Sequence, residues 1–155
     1  MSKRLNEKVA VVTGAGSIGA GWGNGNATAT LFAREGAKVL CADINIKSAN
    51  ETAKIIKEEG GEAYALQIDV SNGEQVCEMV KSAVREYGRI DILHNNVGIA
   101  ELGGPVETSE ESWDRVHNVN LKSAFLTCKH VIPIMQDQGE GAIVNVSSIS
   151  GNRTN

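Results

Sequence analysis

Residues 14–29 read GAGSIGAGWGNGNATA and place six glycines, Gly14, Gly16, Gly19, Gly21, Gly23 and Gly25, in twelve consecutive positions. They follow KVAVVT (8–13), a β-branched run that reads as a strand. They precede ATATLFARE (27–35), which reads as a helix closed by Gly36. Strand, glycine turn and helix in that order make a seat for phosphate, because free N–H groups and the dipole at a helix start favour negative charge. Gly14-Ala-Gly16-Ser-Ile-Gly19 matches G-x-G-x-x-G. A helix starting at Gly19 would, however, carry Gly21, Gly23 and Gly25 in its first turns, at roughly 0.8–1 kcal/mol each relative to alanine. A start near Gly25 and Asn26 removes that cost. Gly14 then closes the strand, Gly23 and Gly25 serve the helix start, and residues 15–22 form an enlarged loop containing Gly16, Gly19 and Gly21. Trp22 in that loop reads either as a lid over a ligand or as an anchor packed on the body.

Outward from this stretch the same alternation continues. AKVLCAD (37–43) is a strand, IKSANETAKIIKEE (46–59) a helix stopped by Gly60-Gly61, and EAYALQID (62–69) a third strand. Ser71 and Glu74 have capping-box spacing before a helix that reaches Tyr87, with Val76, Val80, Ala83, Val84 and Tyr87 at helical period. RIDILHNN (89–96) is the fourth strand. The loop IAELGGPVE (99–107) leads to a second capping box, Thr108 and Glu111. A long helix over 109–135 follows, with Trp113, Val116, Leu121, Ala124, Cys128, Val131 and Met135 on its apolar side and Pro133 kinking or ending it. GAIVNVSS (141–148) is the fifth strand. This pattern predicts an α/β fold, a Rossmann-like doubly wound parallel sheet of order 3-2-1-4-5 in a single domain over 1–155.

Composition agrees. The chain has 155 residues, 41% hydrophobic but only 4% aromatic, so its core must come from Val, Ile, Leu and Ala, as a buried parallel sheet requires. A net charge of −4, with both signs interspersed, argues against nucleic acid or an anionic membrane as partner. No apolar run approaches the roughly 18 residues of a spanning helix, and the N-terminus has no signal-peptide core; the expected location is cytoplasmic. Cys41, Cys77 and Cys128 read as reduced core residues, and His94, His117 and His130 form no ligand triplet, so no metal is expected.

In such sheets ligands lie beyond the carboxyl ends of the strands. Gly14, Asp43, Asp69, Asn95 to Gly98, and Ser147 to Ser148 each follow a predicted strand. Asp43 stands 18 residues after Gly25, near the roughly 20 expected for an acid on a ribose 2′-hydroxyl. The bland alternative for Asp43 is a turn former or helix cap. As a ligand, its carboxylate would repel the 2′-phosphate of NADP, and no Lys or Arg in the glycine loop compensates, so NAD is favoured over NADP.

With these residues placed, the whole chain resembles the short-chain dehydrogenase/reductase family. VVTGAG is similar to its strand-then-TG start, and Gly19, Gly23 and Gly25 satisfy the rest of TGxxxGxG after an expansion of about five residues, with Ile18 in place of the threonine. IDV (68–70) resembles the segment beside the adenine, here Asp69 and Val70. HNNVG (94–98) resembles NNAG, with Val97 for alanine between Asn96 and Gly98. VNL (119–121) puts Asn120 at the family's catalytic asparagine, and IVNVSSISG puts Ser148 at its catalytic serine. The resemblance implies hydride transfer between NAD(H) and a small alcohol or ketone, with a homo-oligomer as partner state. It implies cofactor contacts at Gly14, Ser17, Ile18, Gly19, Gly23, Asn24 and Gly25 in the loop. Further contacts are implied at Asp43, Ile44, Asp69, Val70, Asn96, Val97 and Gly98. The family's YxxxK acid/base pair has no match: neither Tyr64 nor Tyr87 is followed by a lysine four residues on. The expectation is therefore a chain truncated after the fifth strand, without the family's C-terminal strands and helices, and inactive alone. The alternative is a non-catalytic dinucleotide-binding or interaction module.

Overall fold

The computed structural model describes residues 3–19 and 21–148. Five strands, β1 (Val9–Thr13), β2 (Lys38–Asp43), β3 (Glu62–Gln67), β4 (Ile92–Asn95) and β5 (Ala142–Asn145), form one parallel sheet ordered β3-β2-β1-β4-β5, as the sequence predicts. β1 is central and buried along its whole length, which is why its sequence is an apolar run, Val9 to Val12, ending on a buried Thr13. Side chains alternate between the faces. Ala10, Val12, Val39 and Cys41 meet α1 (Asn24–Arg34) and α2 (Ile46–Glu58). Val11, Leu40 and Leu93 meet α3 (Gly73–Tyr87) and the helix leading to β5. Burial pushes the Cys41 thiol up to about 12, against the opposing charge of Lys57, so it is an inert core residue.

The helix start at the glycine loop is where the propensity argument puts it: α1 begins at Asn24, with Gly23 as N-cap. Both predicted capping boxes are displaced by one residue. Asn72, not Ser71, caps α3, because its side-chain oxygen reaches two N–H groups, those of Glu74 and Gln75, at 3.0 and 3.1 Å. Ser71 instead donates its N–H and hydroxyl to Asp69 Oδ1. Ser109 caps the next helix through the N–H of Ser112, while the Thr108 hydroxyl donates to the Gly104 carbonyl at 2.8 Å.

The long helix is three pieces: α4 (Glu110–His117), a π turn (Asn118–Lys122) and α5 (Ser123–Gln138). The π turn takes up extra chain per turn and rotates the face that α5 presents to the sheet. The expected apolar stripe therefore breaks: Val131 and Met135 are buried, but Trp113 and Leu121 are 59% and 67% exposed. Trp113 stacks instead on His117, with ring centroids 4.1 Å apart. Pro133 does not end the helix. It sits on the exposed side, as does Lys129, whose carbonyl loses its helical donor there. Gly139, at φ 75°, stops the helix instead.

At the amino ends of the strands, Asp91 is buried and accepts from Val9 N–H at 2.8 Å and from Arg89 Nε at 2.9 Å. Lys8 and Glu140 complete the network, which ties the starts of β1, β4 and β5.

Candidate functional site

β1 leaves the sheet at Gly14, whose φ of 64° favours glycine. The first turn of α1 presses onto this exit. A Cβ on Gly25 would lie 1.8 Å from the Gly14 carbonyl oxygen and 2.7 Å from Asn96 Nδ2, so only glycine fits. Gly16 donates its N–H to Asp43 Oδ2 at 2.8 Å, and a Cβ there would lie 2.6 Å from Ser48 Cβ. Gly16 thus lies in the loop as expected, with a close contact to β2 and α2 that the sequence reading did not assign to it. The signal for it was the second glycine of G-x-G-x-x-G, two residues past the strand-closing Gly14. Among the described residues, Gly19 and Gly21 have no neighbour within 4 Å of a would-be Cβ.

The loop is fastened at both ends. Ala15 N–H bonds the Ala42 carbonyl, and the Ala15 carbonyl accepts from the Thr52 hydroxyl at 2.8 Å. The Ser17 carbonyl accepts from the Ser48 hydroxyl, and the Ser17 hydroxyl donates to the Gly19 carbonyl. Asn26 Oδ1 accepts from Gly23 N–H at 2.8 Å. Ile18 is fully exposed, and Trp22 is 59% exposed. Asn45, Asn72 and Ser109 cap their helices with side chains, whereas Gly23 caps α1 without one. Among the described residues, the first N–H groups of α1 therefore meet no capping side chain. Asn24 is exposed in that turn.

Asp43 ends β2 with both oxygens engaged: Oδ2 by Gly16, and Oδ1 by Asn45 N–H at 2.9 Å. Ile44 beside it is exposed. Across β3, Asp69 makes the turn into α3 through Ser71, and the Val70 side chain lies in the core.

At the end of β4, Asn96 Nδ2 donates to the Gly14 carbonyl at 3.1 Å, tying the glycine turn to the next strand. Val97 Cγ2 lies 3.1 Å from a would-be Cβ on Gly14. Asn95, buried one residue earlier, bonds Asn145 Oδ1 at 2.8 Å and the Thr127 hydroxyl at 2.9 Å, a polar relay between β4, β5 and α5 that sequence reasoning missed. Asn120 lies in the π turn, the kind of helix distortion that recurs at functional sites. Its amide clamps one residue: Oδ1 accepts from Ile99 N–H at 2.8 Å and Nδ2 donates to the Ile99 carbonyl at 2.9 Å. Gly98 adjoins this clamp. Ser148 is exposed beyond β5. The structure thus joins Gly14, Gly25, Asn96 and Val97 in one cluster, Gly16 with Asp43 in a second, and Asn120 with the segment after Gly98 in a third. Among the described residues, no His, Cys, Asp or Glu cluster could hold a metal, and no helix is long and apolar enough to cross a membrane.

The profile of the short chain dehydrogenase family matches residues 8–155. The chain belongs to that family. Among its relatives, 3-oxoacyl-[acyl-carrier-protein] reductase FabG of Thermotoga maritima is 42% identical over 148 residues, which are 96% of this chain and 58% of that protein. Cyclohexanol dehydrogenase of an Acinetobacter strain is 38% identical over 152 residues, 97% of this chain and 59% of that protein. A solved structure of a short-chain dehydrogenase/reductase from Burkholderia xenovorans, 47% identical, superposes with a TM-score of 0.95 over 97% of this chain and 60% of that one. This short-chain dehydrogenase chain therefore spans about three fifths of the length of the relatives it matches.

Proposed function

We propose that the protein is an NAD(H)-dependent oxidoreductase of the cytoplasm that interconverts a small alcohol and its ketone and acts as a homo-oligomer. The observation that carries this reading is Asp43, a carboxylate at the end of β2 bonded into the glycine turn by Gly16 N–H. The residues present suit a dinucleotide: Gly14, Gly16 and Gly25 leave backbone where any Cβ would intrude or strain, and α1 opens on a glycine cap.

The nicotinamide group, when bound, supplies the hydride donor or acceptor. The first-turn N–H groups of α1, from Asn24 and Gly25 behind the Gly23 cap, take the diphosphate charge. Asp43 accepts ribose hydroxyls and repels a 2′-phosphate, which favours NAD over NADP. Ile44, Asp69 and the Val70 backbone flank the adenine. Ser17, Ile18 and Gly19 border the turn, and Asn96, Val97 and Gly98 form the floor. Ser148 holds the substrate oxygen, and Asn120 positions Ile99 and completes a proton path. Exposed apolar residues on the helix before β5, among them Leu121, Phe125 and Ile132, support the homo-oligomer.

A second reading concerns residues 1–155 by themselves: they bind dinucleotide without turnover. Their tyrosines favour it. Burial pushes the Tyr64 and Tyr87 hydroxyls above their ordinary value, with Glu62 adding to the effect at Tyr87. A general base needs a shift the other way.

The test is a fluorescence titration with NADH and NADPH. NADH should bind more tightly, and Asp43→Ala should narrow the gap; equal affinities in the unmodified chain would remove Asp43 from its role. NAD-dependent oxidation of cyclohexanol by residues 1–155, abolished in Ser148→Ala, would overturn the second reading.

A further inference from the structure

Trp22 is a loop residue that the family resemblance leaves without a role, and its surroundings are specific. The side-chain amide of Asn26 brackets its backbone: Oδ1 accepts from Gly23 N–H on one side at 2.8 Å, and Nδ2 donates to the Gly21 carbonyl on the other at 3.5 Å. An indole that is 59% exposed is thus carried on backbone fixed from both flanks. Its neighbour Gly23 caps α1, and a would-be Cβ on Gly23 lies 3.9 Å from the Gly16 carbonyl and 3.8 Å from Ser17 Oγ. Gly16 in turn holds Asp43. Trp22 therefore stands at the junction of the α1 N-terminus and the turn bonded to Asp43.

We infer that Trp22 is a contact residue for the ribose–diphosphate portion of the dinucleotide. The inference rests on the dinucleotide reading proposed above. A diphosphate on α1 and a ribose on Asp43 straddle the junction, where the exposed indole joins Ile18 and Ile44 as exposed apolar surface. An aromatic ring partly brought out of water by a ligand carries a substantial share of affinity at low conformational cost, since only two side-chain torsions must be fixed. The contact is with the part common to NAD and NADP, so Trp22 sets affinity, while Asp43 sets the choice between them.

ADP-ribose, which carries the contacted part without nicotinamide, is the probe. Trp113→Phe leaves Trp22 as the sole indole. Saturating ADP-ribose should change Trp22 emission with the same Kd that calorimetry gives. Trp22→Ala should weaken binding roughly tenfold, and Trp22→Phe should recover most of it. Equal affinity in Trp22→Ala and the unmodified chain, or unchanged emission at saturation, overturns the inference and leaves the dinucleotide reading standing. Absence of ADP-ribose binding by the unmodified chain overturns both.

Discussion

Replacing Gly25 with alanine tests the packing that defines the glycine turn. The added Cβ would sit 1.8 Å from the Gly14 carbonyl oxygen, where real Cβ contacts essentially never fall below 3.0 Å. α1 must therefore retreat from β1 by more than about 1 Å, or the strand exit must deform. Overpacking of this kind costs about 1–3 kcal/mol. The retreat also strains the bond from Asn96 Nδ2 to the same carbonyl, worth about 1 kcal/mol. Alanine's better helix propensity returns up to about 1 kcal/mol. The net expectation is a loss of about 1–3 kcal/mol, or roughly 2–12 °C in Tm for a domain of this size. Urea unfolding followed by circular dichroism, with Gly19→Ala as control, measures it. A Cβ on Gly19 would meet nothing within 4 Å among the described residues, so its substitution should stay within about 0.5 kcal/mol of the unmodified chain. Equal stabilities for the two variants would refute the packing argument. A Gly25→Ala variant that still bound NADH unchanged would refute the placing of diphosphate at this turn.

Three further outcomes are expected. Asp91→Ala should destabilise by about 2 kcal/mol, because the buried Val9 N–H loses its acceptor while Arg89 and Lys8 can turn to water. Burial by itself would raise the Asp91 carboxyl, but hydrogen bonds from Arg89 and Val9, with the charges of Arg89 and Lys8, hold it below the usual carboxylate range. The stability it adds is present above about pH 4 and fades as pH falls through its folded value, so chemical denaturation of the variant and the unmodified chain should converge in acid. His94 is buried with no partner for either ring nitrogen among the described residues, and burial pushes its pKa below the ordinary 6.5. The unfolded chain therefore binds more protons, and stability should drop as pH falls below about 6.5. His94→Leu should flatten the urea midpoint between about pH 7.5 and 5.5, and an unchanged slope would count against it. Asn120→Ala releases both backbone groups of Ile99, so amide exchange at Ile99 should accelerate with little change in global stability.

The alternation of elements, the sheet order and the α1 start were legible because each rests on local chemistry: β-branched runs, helical periods and the cost of interior glycines. The place of Asp43 at the end of β2 was legible in the run AKVLCAD. Gly16 was not, because its contact with Asp43 bridges two loops that adjoin only after the sheet pairs β1 with β2. The π turn escaped too, since Trp113 and Leu121 fit a continuous helical period that the observed backbone does not keep. The caps moved by one residue where Asn72 and Ser109 stood beside equally suitable donors and acceptors. Spacing cannot rank such neighbours; geometry does.

A carboxylate offers about four lone-pair directions. Asp43 commits two of them, to Gly16 and Asn45, before any ligand arrives. About two remain, and a ribose brings two hydroxyls. Its rotamer is also frozen in the folded chain, so the ordering cost of roughly 0.5–1.5 kcal/mol for such a side chain falls on folding rather than on binding. In the role proposed for it, this carboxylate cannot swing aside to admit a phosphate. Cofactor choice then becomes a property of the rigid turn, and loosening Gly16 would erode it as surely as removing the acid.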